Sequence, residues 1–126
     1  MAGNLSTLLL LNGTQYFPDL NGKILFLEED ETSTPAHLDR YLQQCQHLGW
    51  WQKIAGVIFG RFTEQSGFSE ANPLEDTLKQ YFSQVSFPVL YNADFGHSDP
   101  MFTIPNGGTV KIDSAEKEIV FAQSVN

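Results

Sequence analysis

Three polar residues of this sequence follow apolar runs and have the chemistry of a proton-transfer site. Glu28 comes directly after Ile24–Leu27, Arg61 follows the next run, and His97 lies beyond Pro88–Tyr91. An imidazole can take up and release a proton near neutral pH, and a carboxylate can orient it. If the runs are parallel strands, their carboxyl ends share one edge of the sheet, where open α/β sheets bind ligands. The alternative is a solvated rim, since strand ends also become polar where they meet water.

Glu28 opens an acidic run whose members have different expected surroundings. Its backbone should still lie beside the buried strand, and an unpaired buried charge is costly. We therefore expect Glu28 to find a hydrogen-bond donor, and an imidazole is one such donor. Glu29, Asp30 and Glu31 are expected to form a solvated acidic face. A cation site there is disfavoured because no spaced set of ligands accompanies these residues.

The sequence contains no recognisable nucleophile for such an acid and base. Cys45 shares an apolar helical stripe with Leu38 and Leu42, where cysteine packs as a small hydrophobic residue. A Gly-x-Ser-x-Gly elbow, a phosphate-binding glycine loop and a dinucleotide fingerprint are all missing from the sequence. His37 and His47 lie off the apolar stripe and are expected at the surface, and the histidines and the cysteine lack zinc-ligand spacing.

Three helices are predicted from apolar patterns and their end signals. Leu5–Leu11 is apolar and is closed by an Asn-Gly pair, which favours a helix. A longer helix begins after Thr34 as N-cap, with Pro35 at its first position, and ends at Gly49. The third begins at the sequence Asn72–Glu75, with an N-cap, a proline and a glutamate that resemble a capping box.

The remaining elements are predicted as strands and loops. Glu64–Glu70 is polar and contains glycine, so a surface loop is expected. Short strands are expected after the third helix–strand unit at Phe102–Ile104, Thr109–Ile112 and Ile119–Phe121. The last two form a predicted hairpin around Ser114-Ala115. The order βαβαβ followed by a β-rich tail predicts an α/β fold.

The composition describes one acidic domain. The chain has 126 residues, 41% of them apolar, and a net charge of −8 from 15 acidic and 7 basic side chains. Nucleic acid and anionic membranes need a cationic surface, so neither is expected as a partner. The single cysteine cannot form an internal disulfide, and the longest apolar run, Leu8–Leu11, is too short to span a bilayer. With no basic segment followed by an apolar one at its start, the chain is expected in the cytoplasm.

The start of the chain is abrupt. Met1-Ala2 lead directly into Gly3–Ser6 and the apolar run, whereas most domains begin with a few loosely held polar residues. We expect the chain to begin inside a longer protein, with an ordinary short N-terminus as the alternative.

Several motifs recur in a fixed order along the chain. They are Gly3–Ser6, Lys23–Glu29, Asp39-Arg40, Ile54–Phe62, Phe95–Pro100 and Thr103–Gly108. In this order they resemble the motifs of the LD-carboxypeptidases, most closely the branch that contains the microcin-immunity peptidases. The resemblance covers essentially the whole chain. That family usually has a second glycine before Gly3, where this chain has Ala2.

The resemblance implies a place for each candidate residue. The family consists of two-domain serine peptidases with a Ser-Glu-His triad, whose serine lies on a nucleophile elbow of the N-terminal domain. Residues 1–126 resemble the C-terminal domain alone, a small mostly parallel sheet flanked by helices with a C-terminal β-hairpin, of the swivelling β/β/α type. By motif match, Glu28 corresponds to the triad glutamate and His97 to the triad histidine, so the two side chains are expected to lie within hydrogen-bond distance, or nearly so. Asn4 and Arg61 are candidates for substrate contact or for scaffolding of the site.

The resemblance also implies a reaction, substrates and partners. The reaction is acyl transfer on LD-peptide bonds of murein tetrapeptides or on amide-linked peptidyl-nucleotide antibiotics, with no metal or organic cofactor. The partner is the N-terminal nucleophile domain of the same polypeptide, and without it the domain is expected to be inactive. Its absence would expose apolar surface near Leu8–Leu11 or Trp50-Trp51, which would allow a homodimer. The alternative is a free-standing module that binds a peptide or nucleotide without catalysis.

Overall fold

A parallel sheet and a separate hairpin make up the strands of this domain. The computed structural model describes residues 1–113, 115–116 and 118–122. In chain order its elements are β1 (Ala2–Asn4), α1 (Leu5–Leu9), β2 (Ile24–Glu28), α2 (Pro35–His47), β3 (Gly56–Gly60), a 3₁₀ turn (Glu64–Ser66), α3 (Leu74–Phe82), β4 (Val89–Ala93), β5 (Val110–Asp113) and β6 (Glu118–Phe121). Strands β1 to β4 form a parallel sheet in that order, and β5 pairs antiparallel with β6. The predicted α/β fold with a C-terminal hairpin is confirmed.

The two central strands, β2 and β3, are buried on both faces because their residues are apolar almost without interruption. Side chains alternate along a strand, so Leu25 and Leu27 face one layer and Phe26 faces the other. The helix layer is the large apolar core that α1, α2 and α3 share with the sheet, and its fully buried side chains include Leu5, Leu25, Leu38, Leu42, Trp50, Val57 and Phe59. The hairpin layer is the smaller cluster of Phe26, Ile58 and Phe95, covered by half-buried side chains of β5 and β6.

The second helix has the ends that its sequence predicts. The Thr34 hydroxyl accepts a hydrogen bond from the backbone N–H of His37, and the His37 ring accepts one from the backbone N–H of Thr34. Pro35 is the first helical residue, and Gly49 follows the end with a φ of +71°. Thr34 therefore fixes the start of α2, and Gly49 takes the left-handed conformation that lets the chain leave it.

The third helix begins later than its sequence predicts. Pro73 is the N-cap, and no side chain caps the helix. Asn72 instead exchanges two backbone hydrogen bonds with Ser69. The predicted capping box at Asn72 is wrong because that pairing holds Asn72 in a turn before the helix.

Other parts of the chain also differ from the expectations. Phe102–Ile104 is irregular, not a strand, because the Phe102 N–H donates to Asp94 O and closes a loop. The segment 64–70 is not wholly a surface loop, since Ser66 in its 3₁₀ turn is buried. β1 was not predicted, and Ser114 of the predicted hairpin turn lies outside the described residues.

The apolar surface lies on only one of the two segments expected to carry it. Trp50 and Trp51 are buried in the helix layer, so the expectation of exposed surface there is wrong. Leu10 is 79% exposed and Leu11 is partly exposed, as expected for Leu8–Leu11. In the described part of the chain, no helix has both the length and the apolar character to cross a bilayer.

Candidate active site

Glu28 is the last residue of β2 and lies between two neighbouring strands. In the sheet it pairs with Asn4 of β1, and Gly60 ends β3 on its other side. Its side chain shares a face with Phe26, since alternate residues of a strand do, and so points into the hairpin layer. Glu28 is buried, so its carboxylate needs a hydrogen-bond donor.

Two glycines leave room for this carboxylate. A Cβ at Gly60 would lie 2.6 Å from Phe95 O and 3.1 Å from Glu28 Cβ. A Cβ at Gly96 would lie 2.9 Å from Glu28 Cβ and 3.0 Å from Glu28 Oε2. Gly96 also has a φ of +102°, which side-chain-bearing residues rarely adopt. Gly60 and Gly96 therefore allow the loop after β4 to pass directly over Glu28.

His97 supplies the donor that Glu28 needs. His97 Nδ1 lies 2.6 Å from Glu28 Oε2. An ionised carboxylate only accepts hydrogen bonds, so Nδ1–H donates to Glu28, and in the neutral ring Nε2 is left as an acceptor. The His97 side chain is 53% exposed, while the Glu28 side chain is 10% exposed. The predicted approach of the two side chains is confirmed, and it combines a buried carboxylate with an accessible imidazole.

The surroundings of His97 favour its protonated form. The hydrogen bond to Glu28, and then the charge of Glu28, raise the pKa of His97 above its ordinary value. Asp30 and Glu31 raise it less, and the partial burial of the ring lowers it less. His97 can accept a proton only when it is neutral, so the fraction of His97 able to act as a base falls as the pH drops through that raised pKa.

The loop that carries His97 is closed at its base. The Phe102 N–H donates to Asp94 O over 2.7 Å, and the Asp94 carboxylate forms an ion pair with Arg61. Phe95 is buried against Phe26, with ring centroids 5.6 Å apart. A depression beside the imidazole is lined by Gly96, His97, Ser98, Asp99 and Met101, and the Asp99–Pro100 peptide is cis. Arg61 thus lies at the base of the loop and contacts it through Asp94.

Asn4 is beside Glu28 in the sheet, but its side chain turns to the start of α1. Asn4 Oδ1 accepts hydrogen bonds from the Thr7 backbone N–H at 3.0 Å and from the Ser6 hydroxyl at 2.8 Å. Asn4 Nδ2 donates to Glu29 Oε2 at 3.4 Å. Asn4 is thus the N-cap of α1, and one of its two amide hydrogens is already engaged.

Glu29 is not part of a solvated acidic face, and that expectation is wrong. It is 3% exposed, and its carboxylate accepts hydrogen bonds from Asn4, Ser6 and Ser33. Glu31 is exposed, as expected for a solvated face, whereas Asp30 is half-buried. The signal was in the sequence: Glu29 continues the alternation of Leu25 and Leu27, which directs it to the helix layer.

Other chemistry-bearing groups are not assembled at this site. Cys45 is buried in the helix layer, and that burial raises the pKa of its thiol far above the usual range. A buried neutral thiol is a poor nucleophile, so Cys45 belongs to the core. Within residues 1–113, 115–116 and 118–122, no group of three or more His, Cys, Asp or Glu side chains could hold a metal ion.

Comparisons with known proteins relate this chain to a family of carboxypeptidases. The family model of the LD-carboxypeptidase C-terminal domain matches residues 1–112. The microcin C7 self-immunity protein MccF of Escherichia coli is 32% identical over 122 residues, which cover 94% of this chain and 35% of that protein.

Solved structures show the same fold. An MccF-like protein from Bacillus anthracis has a TM-score of 0.82 at 35% identity and covers 96% of this chain and 37% of its own. Muramoyltetrapeptide carboxypeptidase from Oxalobacter formigenes has a TM-score of 0.72 at 26% identity and covers 98% of this chain and 41% of its own. This chain therefore spans between 35% and 41% of the length of the three proteins.

Proposed function

The chain belongs to the LD-carboxypeptidase family and corresponds to the C-terminal domain of its members, and on that basis we propose that Glu28 and His97 are two members of a Ser-Glu-His triad. The observation that carries this proposal is the 2.6 Å contact between His97 Nδ1 and Glu28 Oε2. When a carboxylate is hydrogen-bonded to Nδ1 of an accessible imidazole, Nε2 of that ring can activate a serine nucleophile.

The serine of the proposed triad comes from a preceding N-terminal domain of the same polypeptide. The length of the relatives supports this proposal, because more than half of each lies outside the part that this chain matches. The exposure of His97 supports it too, since a triad histidine must be reached by its serine. We propose that residues 1–126 are the Glu- and His-bearing half of a serine carboxypeptidase and are inactive alone.

The proposed reaction is hydrolysis of an amide bond through an acyl-enzyme. His97 Nε2 accepts the proton of the serine hydroxyl as the serine oxygen bonds to the carbonyl carbon. The carbon–nitrogen bond then breaks, and the same proton goes from Nε2 to the leaving amine. A water molecule then attacks the ester carbon as Nε2 accepts its proton. The bond between that carbon and the serine oxygen breaks, the acid leaves, and the proton goes from Nε2 back to the serine oxygen. Glu28 keeps the hydrogen on Nδ1 and stabilises the imidazolium that forms in each half.

Two substrate classes follow from the relatives. One relative is a muramoyltetrapeptide carboxypeptidase, and another confers self-immunity to microcin C7. We propose that the parent enzyme hydrolyses an LD-peptide bond of a murein tetrapeptide or the amide of a peptidyl nucleotide. Asn4 and Arg61 are the proposed substrate-side residues: one Asn4 amide hydrogen is uncommitted in the contacts above, and the Arg61 side chain is 41% exposed beside the His97 loop.

The test is turnover by the parent polypeptide, which carries both domains. Each substrate class is supplied separately, as a murein tetrapeptide and as an amide-linked aminoacyl nucleotide. We expect His97→Ala and Glu28→Gln to lower kcat by about 10³-fold or more, because each removes a triad function. Arg61→Gln should raise KM and change kcat little if Arg61 binds substrate.

Two controls make the result specific. Lys111→Gln replaces an exposed cation on β5 and should leave both kinetic constants unchanged within about twofold. The isolated chain should give no turnover with either substrate. Turnover that survives His97→Ala would contradict the proposed base, and turnover by the isolated chain would mean that the nucleophile lies within residues 1–126.

A further inference from the structure

Glu29 joins three segments of the chain on the helix side of the sheet. It follows β2, while its hydrogen-bond donors belong to the β1–α1 junction and to the turn before α2. Ser33, which comes from that turn, is 5% exposed and donates to Glu29 Oε2 at 2.7 Å. The turn itself is held by Thr32, whose backbone N–H and hydroxyl both donate to Asp30 Oδ1.

Two of the nitrogens that donate to Glu29 can only donate hydrogen bonds. The Ser6 backbone N–H donates to Glu29 Oε1, and Asn4 Nδ2 donates to Glu29 Oε2. Neither nitrogen can accept a hydrogen bond, so each carboxylate oxygen must remain an acceptor. The Ser6 hydroxyl lies 2.8 Å from Asn4 Oδ1 and 3.1 Å from Glu29 Oε2, and its single hydrogen serves one of them at a time.

Helix α1, whose start Glu29 contacts, is too short to be stable without contacts to the rest of the domain. Helix α1 has five residues, and an isolated helix of that length does not form in water. Its start is fixed by Asn4 and Glu29, and Asn4 pairs with Glu28 in the sheet. The position of the Asn4 amide relative to Glu28 therefore depends on the Glu29 carboxylate.

We infer that Glu29 is a positioning residue, which fixes Asn4 and the start of α1 beside the Glu28–His97 pair. This inference rests on the proposed function of that pair. Glu28 and Glu29 then have separate roles on opposite faces of one strand. Glu28 orients the imidazole, and Glu29 holds Asn4 and the start of α1 beside it.

Glu29→Gln in the parent enzyme tests the inference. Whichever way the new amide is oriented, its NH₂ group faces Ser6 N–H or Asn4 Nδ2, so one obligate donor loses its acceptor. We expect kcat/KM to fall about tenfold, because groups at the site are displaced. The pKa of His97 read from the pH dependence of kcat/KM should not change, because Glu28 still hydrogen-bonds to the ring. Glu31→Gln, an exposed carboxylate of the same acidic run, should change kcat/KM by less than about twofold.

Amide hydrogen exchange in the isolated chain gives a readout that does not depend on turnover. In Glu29→Gln the Ser6 amide should exchange at least about tenfold faster, while the Leu42 amide of the core keeps its rate. Glu29→Asp keeps the charge but shortens the side chain, so it should show the same rise at Ser6 with a smaller fall in kcat/KM. Glu29→Asp therefore also tests the inference if Glu29→Gln does not fold.

The outcomes separate this inference from the proposed function. If Glu28→Gln and His97→Ala abolish turnover while Glu29→Gln and Glu29→Asp match the unmodified enzyme, Glu29 has no positioning role. Unchanged Ser6 exchange in both Glu29 variants would also overturn the inference. If Glu28→Gln and His97→Ala turn over normally, the triad proposal fails, whereas faster Ser6 exchange would still support the anchoring of Asn4 by Glu29.

Discussion

Glu28 and Glu29 are consecutive in the sequence, yet they end in layers of very different construction. Glu28 points into the hairpin layer, where three of the described apolar residues are buried. Glu29 points into the helix layer, where fifteen are buried. Both carboxylates are nearly inaccessible, but the partner of Glu28 is an exposed imidazole, whereas the partners of Glu29 are half-buried amides of Asn4 and Ser6 and the buried hydroxyl of Ser33.

Stability and chemistry are divided between the two faces of one sheet. The helix layer contains most of the buried apolar area, so it contributes most of the free energy of unfolding. The hairpin layer is thin, and it supports a loop that leaves His97 half exposed. A reactive group needs access, which a large core would remove. Substitutions in the two layers should therefore change different measured quantities.

The largest expected effect is on the helix layer. Leu42→Ala removes a fully buried side chain, and we expect it to lower the free energy of unfolding by about 2–5 kcal/mol. Urea unfolding of the isolated chain measures this change. The matched control is Leu10→Ala at a residue that is 79% exposed, where we expect a change within about 0.5 kcal/mol. Equal losses for the two variants would break the assignment of stability to the helix layer.

An intermediate effect is expected where the His97 loop crosses Glu28. Gly96→Ala adds a Cβ within 2.9 Å of Glu28 Cβ at a φ of +102°, and it should cost about 1–3 kcal/mol. It should also separate His97 from Glu28, which lowers the pKa of His97 towards its ordinary value of about 6.5. An NMR titration of the imidazole measures that fall.

The control for Gly96→Ala is Gly107→Ala. Gly107 has a φ of +85°, but a Cβ there would meet no atom within 4 Å. Gly107→Ala should therefore destabilise the chain through backbone strain and leave the pKa of His97 unchanged. A His97 pKa that stays raised in Gly96→Ala would show that crowding at Glu28 does not control the pair.

The smallest effect is expected on the pH dependence of stability. The folded-state pKa of His97 is raised, so the stabilisation by its contact with Glu28 is complete below the unfolded pKa of about 6.5. It is lost as the pH rises through the raised folded value. Because the imidazole is 53% exposed, we expect this contribution to be under about 1 kcal/mol. Unfolding free energies measured across this pH range, in the unmodified chain and in Glu28→Gln, report the difference.

Glu28→Gln should remove that pH dependence, while Glu31→Gln should preserve most of it. Glu31 raises the pKa of His97 only as the weakest of the contributing charges. An identical pH profile in the Glu28→Gln chain would contradict the link between the carboxylate and the imidazole.

Much of the site could be predicted from local signals. The polar residue after an unbroken apolar run singled out Glu28, and its buried position predicted a hydrogen-bond donor. The resemblance to the family's motifs, and not a local signal, paired Glu28 with His97. Thr34 and Pro35 predicted the start of α2 because capping depends on neighbouring residues only. These signals succeed because the groups concerned are adjacent in the chain or lie at the ends of strands that must be parallel.

Other features depend on contacts that local patterns do not contain. The apolar residues at 102–104 have the composition of a strand, but the Phe102 N–H is taken by Asp94. Asn72 has the composition of an N-cap, but Ser69 takes its backbone groups. Trp50 and Trp51 follow a helix end and could have faced a partner, yet they pack in the helix layer.

The order of the three helices and of strands β2 to β6, the burial of β2 and β3, and the two residues of the candidate pair follow from periodicity, end signals or motif order in the sequence. Contacts between distant segments place His97 Nδ1 beside Glu28 Oε2 across 69 residues of sequence. They also bury Glu29 among hydrogen-bond donors and join Arg61 to the His97 loop through Asp94. The physical reason is that a buried charge takes whichever donors the packing of distant segments brings to it.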